Sequence, residues 1–166
     1  MQMPLACSGV GSRSLRDTIR LMAIWFLRHG DAEQGDADDA ARRLTKKGRG
    51  QSERAGLAMA RWGIEIDACL SSPKVRALET ARLAAEPLGV EVETAEELRG
   101  GDFDPLALAA DRGEVLLVGH EPDFSRAVGA LTGARVDLKK GGIAVVEDGT
   151  LLALHRPKDL KAIGAF

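Results

Sequence analysis

Three short stretches hold the residues able to do chemistry: Arg28-His29-Gly30, Ser71-Ser72-Pro73-Lys74-Val75-Arg76 and Gly119-His120-Glu121-Pro122. A neutral imidazole is a competent nucleophile. A guanidinium presents a planar fork of donors that suits phosphate oxygens. Two histidines and two arginines brought together therefore suit a phosphoryl group. In that reading His29 attacks phosphorus in line and becomes a phosphohistidine. Arg28, Arg76 and His120, the last as an imidazolium, hold the non-bridging oxygens, and water then releases phosphate. Phosphoryl transfer depends mostly on positioning and charge stabilisation. Side-chain cations can do this without a metal, and no cofactor is expected.

Each stretch follows an apolar run, and these runs must do the positioning. Ala23-Ile24-Trp25-Phe26-Leu27 has no polar residue, and neither Ile66 to Leu70 nor Glu114 to Gly119 has more than one. Strands this apolar suit a parallel sheet covered on both faces. In such sheets ligands bind at the carboxyl ends of the strands. The three loops would then face one side, with helix N-termini adding free N–H groups and partial positive charge. Gly30 lets the backbone turn and a ligand come close.

The intervening chain supplies helices. Thr45 is a good N-cap, and Ala55, Ala58, Met59 and Trp62 follow at helical spacing before Gly63. Gly48 and Gly50 weaken the first turns of that helix, and a glycine there permits close approach to a neighbouring loop. Val75, Leu78, Ala81, Ala85 and Leu88 line a second helix. Phe124, Ala127, Val128 and Leu131 line another, and Asp104-Pro105 opens a short one. The alternation of Val90 to Thr94 suggests an edge-like strand. Ile143 to Glu147, Asp148-Gly149 and Thr150 to His155 read as a β-hairpin that Pro157 closes. The expected fold is α/β: a three-layer α/β/α sandwich with a mostly parallel sheet and a C-terminal hairpin.

Composition sets the outer bounds. The 166 residues are 45% hydrophobic and 29% charged, enough for one domain with a real core. A net charge of −2 gives no reason to expect nucleic acid, so an anionic ligand must be caught by a local basic cluster. Cys7 and Cys69 have no paired spacing, which argues against a disulfide framework and a zinc site; Cys69 reads as core. No run approaches ~18 apolar residues, so no membrane span is expected. Residues 1–22 lack the apolar centre of a secretory signal. They read as an N-terminal extension, flexible or not native, with Met22 as a candidate natural start. Residues 23–166 form the domain, and the expected location is cytoplasmic.

The motifs together resemble the histidine phosphatase superfamily, which includes phosphoglycerate-mutase-like enzymes. Its Arg-His-Gly signature matches Arg28-His29-Gly30. Its Leu-Thr-x-x-Gly segment matches Leu44 to Gly48, its Ser-Ser-Pro-x-x-Arg-Ala-x-x-Thr-Ala segment matches Ser71 to Ala81, and its Gly-His-Glu-Pro-type segment matches Gly119 to Pro122. The small size and the Arg-His-Gly-Asp-Ala opening look most like SixA-type phosphohistidine phosphatases. The resemblance implies His29 as the phosphorylated nucleophile and Arg28, Arg76 and His120 as the phosphate pocket. It implies a metal-independent phosphatase acting on phosphohistidine in a protein. The alternatives are the same mechanism on a small phosphate ester or anhydride, or a silent phosphate-binding module.

Other residues have weaker signals. A proton donor, where one is needed, commonly follows the third strand in this family; Glu97 is favoured there over Glu96, Asp102 and Asp31. Arg42 matches an arginine that SixA-like sequences carry before Leu-Thr, so it binds phosphate or forms a surface ion pair. Ser71 and Ser72 lean towards capping the next helix, with Ser72 also a candidate phosphate donor. Lys139-Lys140-Gly141-Gly142 is either a pocket rim or a polar loop. Trp25, Trp62 and His155 read as structural. Short connections suggest an open pocket.

Overall fold

The computed structural model describes residues 22–35 and 38–164. Apart from Met22, the proposed N-terminal extension lies outside the described residues. Six strands build one sheet: β1 (Ile24–Arg28), β2 (Ala68–Ser71), β3 (Val92–Thr94), β4 (Val115–Gly119), β5 (Ile143–Glu147) and β6 (Thr150–His155). Their order is β3-β2-β4-β1-β5-β6. The pairings β3–β2, β2–β4 and β4–β1 are parallel; β1–β5 and β5–β6 are antiparallel. Val92–Thr94 is indeed an edge strand. The helices are α1 (Lys46–Arg61), α2 (Val75–Ala85), α3 (Pro105–Ala109), α4 (Asp123–Thr132) and α5 (Pro157–Gly164).

Strand side chains alternate between faces, and the two faces have different partners. Trp25, Leu27, Cys69, Leu116, Val118, Ile143 and Val145 pack against Ala55, Ala58 and Met59 of α1, Ala77, Ala81 and Ala84 of α2 and Leu160 of α5. Ile24, Phe26, Leu70, Val115, Leu117, Ala144 and Val146 pack against Phe124, Ala127 and Val128 of α4 and against Leu98 and Leu138. Three layers result. Each fully buried Phe or Leu contributes about 1.5–3 kcal/mol from burial. Burial pushes the Cys69 thiol up to about 12, so it behaves as an inert part of this core.

Thr45 caps α1 as its type predicts, its hydroxyl accepting from the Gly48 N–H at 3.1 Å. The hairpin turns on Asp148 and Gly149, both left-handed at φ 45° and 71°. That is the geometry Asp-Gly favours between antiparallel strands. The hairpin ends at His155, just before Pro157, which also opens an unexpected helix, α5, where a missing N–H costs nothing. One local expectation fails. Ser71 and Ser72 make no cap to α2; Lys74 stands at its N-cap without a side-chain bond.

Candidate active site

β4 lies between β1 and β2, so the carboxyl ends of the three apolar strands are neighbours. Arg28 is in register with Gly119, and Ser71 with Val118. The chain leaves each end tied to the next. The His29 N–H donates to the Gly119 carbonyl at 3.0 Å and the Ser72 N–H to the Val118 carbonyl at 2.9 Å. The Gly141 N–H donates to the carbonyls of Arg28 and His29, at 3.0 and 3.1 Å. The 139–142 loop thus braces the first strand end rather than hanging free.

His29, Arg76 and His120 meet at this junction, and each is buried, with 6–7% of its surface exposed. The His29 and His120 ring centroids are 5.2 Å apart. His29 Nδ1 lies 2.7 Å from the Gly30 carbonyl oxygen, an acceptor only, so Nδ1 carries the proton. The lone pair is then on Nε2, to which Arg76 Nε donates at 3.4 Å. Burial first, and then the cations Arg76, Arg28 and Lys140, lower the His29 pKa to about 4. The ring is neutral at ordinary pH, with its nucleophilic nitrogen facing a guanidinium.

His120 Nε2 lies 2.7 Å from Ser72 Oγ, which also accepts from the Lys74 N–H at 3.3 Å. Burial, then His29, Arg76 and Lys74, lower the His120 pKa to about 3. The sequence analysis expects His120 to be an imidazolium where it holds phosphoryl oxygens. In the unliganded protein it is neutral, because three basic groups crowd a ring already withdrawn from water. Ser72 therefore holds His120 instead of capping a helix. Among the described residues, the buried side-chain nitrogens without a hydrogen-bond partner are Arg28 Nε and His120 Nδ1. Unpaired buried donors are costly. Arg28 Nε is such a donor, and His120 Nδ1 becomes one when the ring is protonated, so the two fit an anion that takes both.

Neighbouring residues hold the loop. The Gly30 N–H donates to Thr80 Oγ1 at 3.1 Å, and Thr80 Oγ1 donates to the Arg76 carbonyl at 2.7 Å. Gln51 Oε1 accepts from the Asp31 N–H at 2.8 Å. A Cβ on Gly48 would collide with the Asp31 carbonyl, and one on Gly30 with the Gly48 carbonyl. The early glycine in α1 is what lets the helix touch the nucleophile loop. Arg28 Nη1 donates to the Leu138 carbonyl at 2.9 Å.

Asp39 belongs to no motif and was not expected in the site. In the 3₁₀ turn Asp39–Ala41 its carboxylate meets Lys74 at 2.9 Å, Arg42 at 3.0 Å and Arg76 at 3.1 Å. Its carbonyl also accepts from Arg76 Nη1 at 2.6 Å. Lys74, Arg42 and then Arg76 hold the Asp39 carboxyl far below the usual carboxylate range. Arg42 also donates to the Glu33 carbonyl at 2.7 Å. The expected open pocket is thus narrowed: the chain is short, but this turn lies against Arg76.

The acid candidates separate. Asp31 pairs with Lys140 and Thr45, both at 3.0 Å, and its pKa falls with Lys140 as the chief cause. Asp102 is paired with Arg126, and Glu96 with Arg99. Glu97 is exposed in the turn Glu96–Leu98, just beyond β3 and at the same end of the sheet. It has no ion pair with any described residue. Among the described residues no three His, Cys, Asp or Glu side chains gather as metal ligands. His155 stacks on Trp62 at 4.8 Å, on β6 and outside the site.

The sequence model of the histidine phosphatase superfamily (branch 1) matches residues 24–109, half of the chain and the part that carries His29 and Arg76. The chain belongs to the histidine phosphatase superfamily. An uncharacterized protein of Picosynechococcus sp. is 34% identical over 77% of this chain and 86% of its own. Among solved structures, the protein histidine phosphatase SixA complexed with tungstate superposes with a TM-score of 0.74 at 25% identity, over 84% of this chain and all of that one. The SixA protein of Agrobacterium tumefaciens gives 0.75 at 21% identity, covering 82% and 98%. A phosphoserine phosphatase of Entamoeba histolytica in complex with 3-phosphoglyceric acid gives 0.61 at 16%, covering 84% and 99%. This superfamily chain therefore has a SixA-like, phosphoglycerate-mutase-like fold, and its family supports a phosphatase activity. No described helix is long and apolar enough to cross a membrane.

Proposed function

We propose that the chain is a metal-independent phosphatase that passes a phosphoryl group through His29 and acts on phosphohistidine in a protein. The observation that carries this is the neutral His29 ring, its lone pair on Nε2, beside Arg76, His120 and the unpaired Arg28 Nε. His29 Nε2 attacks phosphorus, forming an N–P bond as the bond to the leaving group breaks. Arg28, Arg76 and His120 hold the equatorial oxygens. A phosphoryl dianion in contact with His120 favours its protonated form, so the ring gains its proton as the substrate binds. Water then attacks phosphorus, the N–P bond breaks and phosphate leaves.

Arg42 and Ser72 act around this centre, Arg42 at the rim and Ser72 through His120. Glu97 supplies a proton to the leaving group where one is needed. An imidazole leaves more readily than an alkoxide, so a phosphohistidine substrate needs that help least. The short connections around the site favour a phosphorylated side chain. The proposed setting is cytoplasmic, with residues 1–22 a dispensable extension.

The test compares one purified preparation on a phosphohistidine-bearing protein, a phosphoglycerate and an aryl phosphate, with and without EDTA. The expected order of kcat/KM puts the phosphoprotein first, with no loss to EDTA. A preference for the small esters overturns the substrate, and EDTA-sensitive turnover overturns the mechanism.

A further inference from the structure

A chain of net charge −2 carries a strongly basic groove that starts beside the nucleophile loop. The groove has a volume of about 470 Å³ and runs between the first half of α1, the start of α5 and the 139–142 loop. Lys47, Arg54, Lys139, Arg156, Lys158 and Lys161 line it. Lys139 and Arg156 have carboxylate partners, Asp137 and Asp159. Lys47, Arg54, Lys158 and Lys161 have none within ion-pair distance among the described residues, and Lys47, Lys158 and Lys161 are exposed. α1 also carries Lys46, Arg49 and Arg61 with one acid of its own, Glu53, and Arg49 reaches Glu79 of α2 at 3.6 Å.

The inner end of the groove is structurally continuous with the site. Gln51 lines the groove, and its Oε1 accepts from the N–H of Asp31, two residues from His29. Lys140, next to Lys139, pairs with Asp31. A surface this one-sided steers and orients a partner of opposite charge.

We propose that this groove is a docking surface for an acidic segment of the phosphorylated protein substrate, holding that protein while its phosphoryl group reaches His29. The inference rests on the protein-substrate reading above. Its occupant is a run of Asp and Glu side chains, because cations spread along a groove between two helices match a chain of separated carboxylates. A single phosphate would use one corner of it.

The experiment titrates the full chain into a fluorescein-labelled peptide of alternating Glu and Asp residues, read by anisotropy at about 0.05 M and about 0.2 M salt. The peptide carries no phosphate, so its binding reports the groove whether or not phosphohistidine is the substrate. The expected result is binding that weakens about tenfold at the higher salt, and about tenfold again in R54E/K158E/K161E. Turnover of an aryl phosphate stays unchanged in that variant, while KM for the phosphoprotein rises with little change in kcat. R54Q/K158Q/K161Q, with wild-type Tm, shows an intermediate loss. Equal peptide binding by wild type and both variants overturns the proposal. So does displacement of the peptide by duplex DNA or tripolyphosphate at lower concentration than by unlabelled peptide, which assigns the groove to a different anion.

Discussion

Arg76 Nε donates to His29 Nε2 across 3.4 Å, while both remaining nitrogens of the same guanidinium are engaged by Asp39. The guanidinium therefore links the nucleophile, whose Nε2 lone pair accepts this long bond, to a carboxylate that occupies the anion-binding edge.

That link implies that Asp39 competes with phosphate for Arg76, Lys74 and Arg42. Asp39→Asn removes the competing charge and keeps the shape. Inorganic phosphate should then inhibit turnover at a concentration about fivefold lower, the size expected for one partly exposed charge pair. Tm should hardly move, since the Asp39 side chain is 56% exposed. An inhibition constant that is unchanged or higher contradicts competition.

The protonation of the two histidines gives a pH signature. Both folded-state pKa values lie below 6.5, near 4 for His29 and near 3 for His120. The unfolded chain binds protons that the native site refuses, so stability falls as pH drops from about 6.5 towards those values. At 1.36 kcal/mol per pH unit, protonating His29 in place costs roughly 3 kcal/mol. The ring Cε1–H resonances of both histidines should hold their positions between about pH 8 and pH 5. Titration of either near 6.5 contradicts burial in the neutral form.

The glycine contact between α1 and the nucleophile loop separates fold from site. Gly48→Ala sets a Cβ against the Asp31 carbonyl, and Gly56→Ala sets one against the Ala84 carbonyl between α1 and α2. Each overpacked contact should cost about 1–3 kcal/mol in urea unfolding. Only Gly48→Ala should also lower kcat in the folded fraction, by about tenfold or more, because it displaces the loop carrying His29. Equal kcat in the two variants contradicts a positioning role for Gly48.

Much of this arrangement was legible before any coordinates. The apolar runs at residues 23–27 and 114–119 marked the two central strands, because a strand buried on both faces cannot carry polar residues. The motifs at residues 28–30, 71–76 and 119–122 marked the site, since a parallel sheet brings its carboxyl ends together. Asp39 was not legible: it sits in a polar loop like many acids, and only the fold sets it on Arg76. That His120 is neutral until an anion reaches it was not legible, because burial, which decides it, has no signature in a single residue. α5 was missed because it is short and has one fully buried apolar anchor, Leu160.

The most direct measurement of the central claim is trapping of the phosphoenzyme. Enzyme quenched in alkali during turnover, digested and read by mass spectrometry should carry a phosphoryl group on His29. The modification should be stable in base and lost in acid, as an N–P bond requires, and His29→Asn should show neither modification nor turnover. A phosphoryl group on another residue, or normal turnover by His29→Asn, contradicts His29 as the nucleophile.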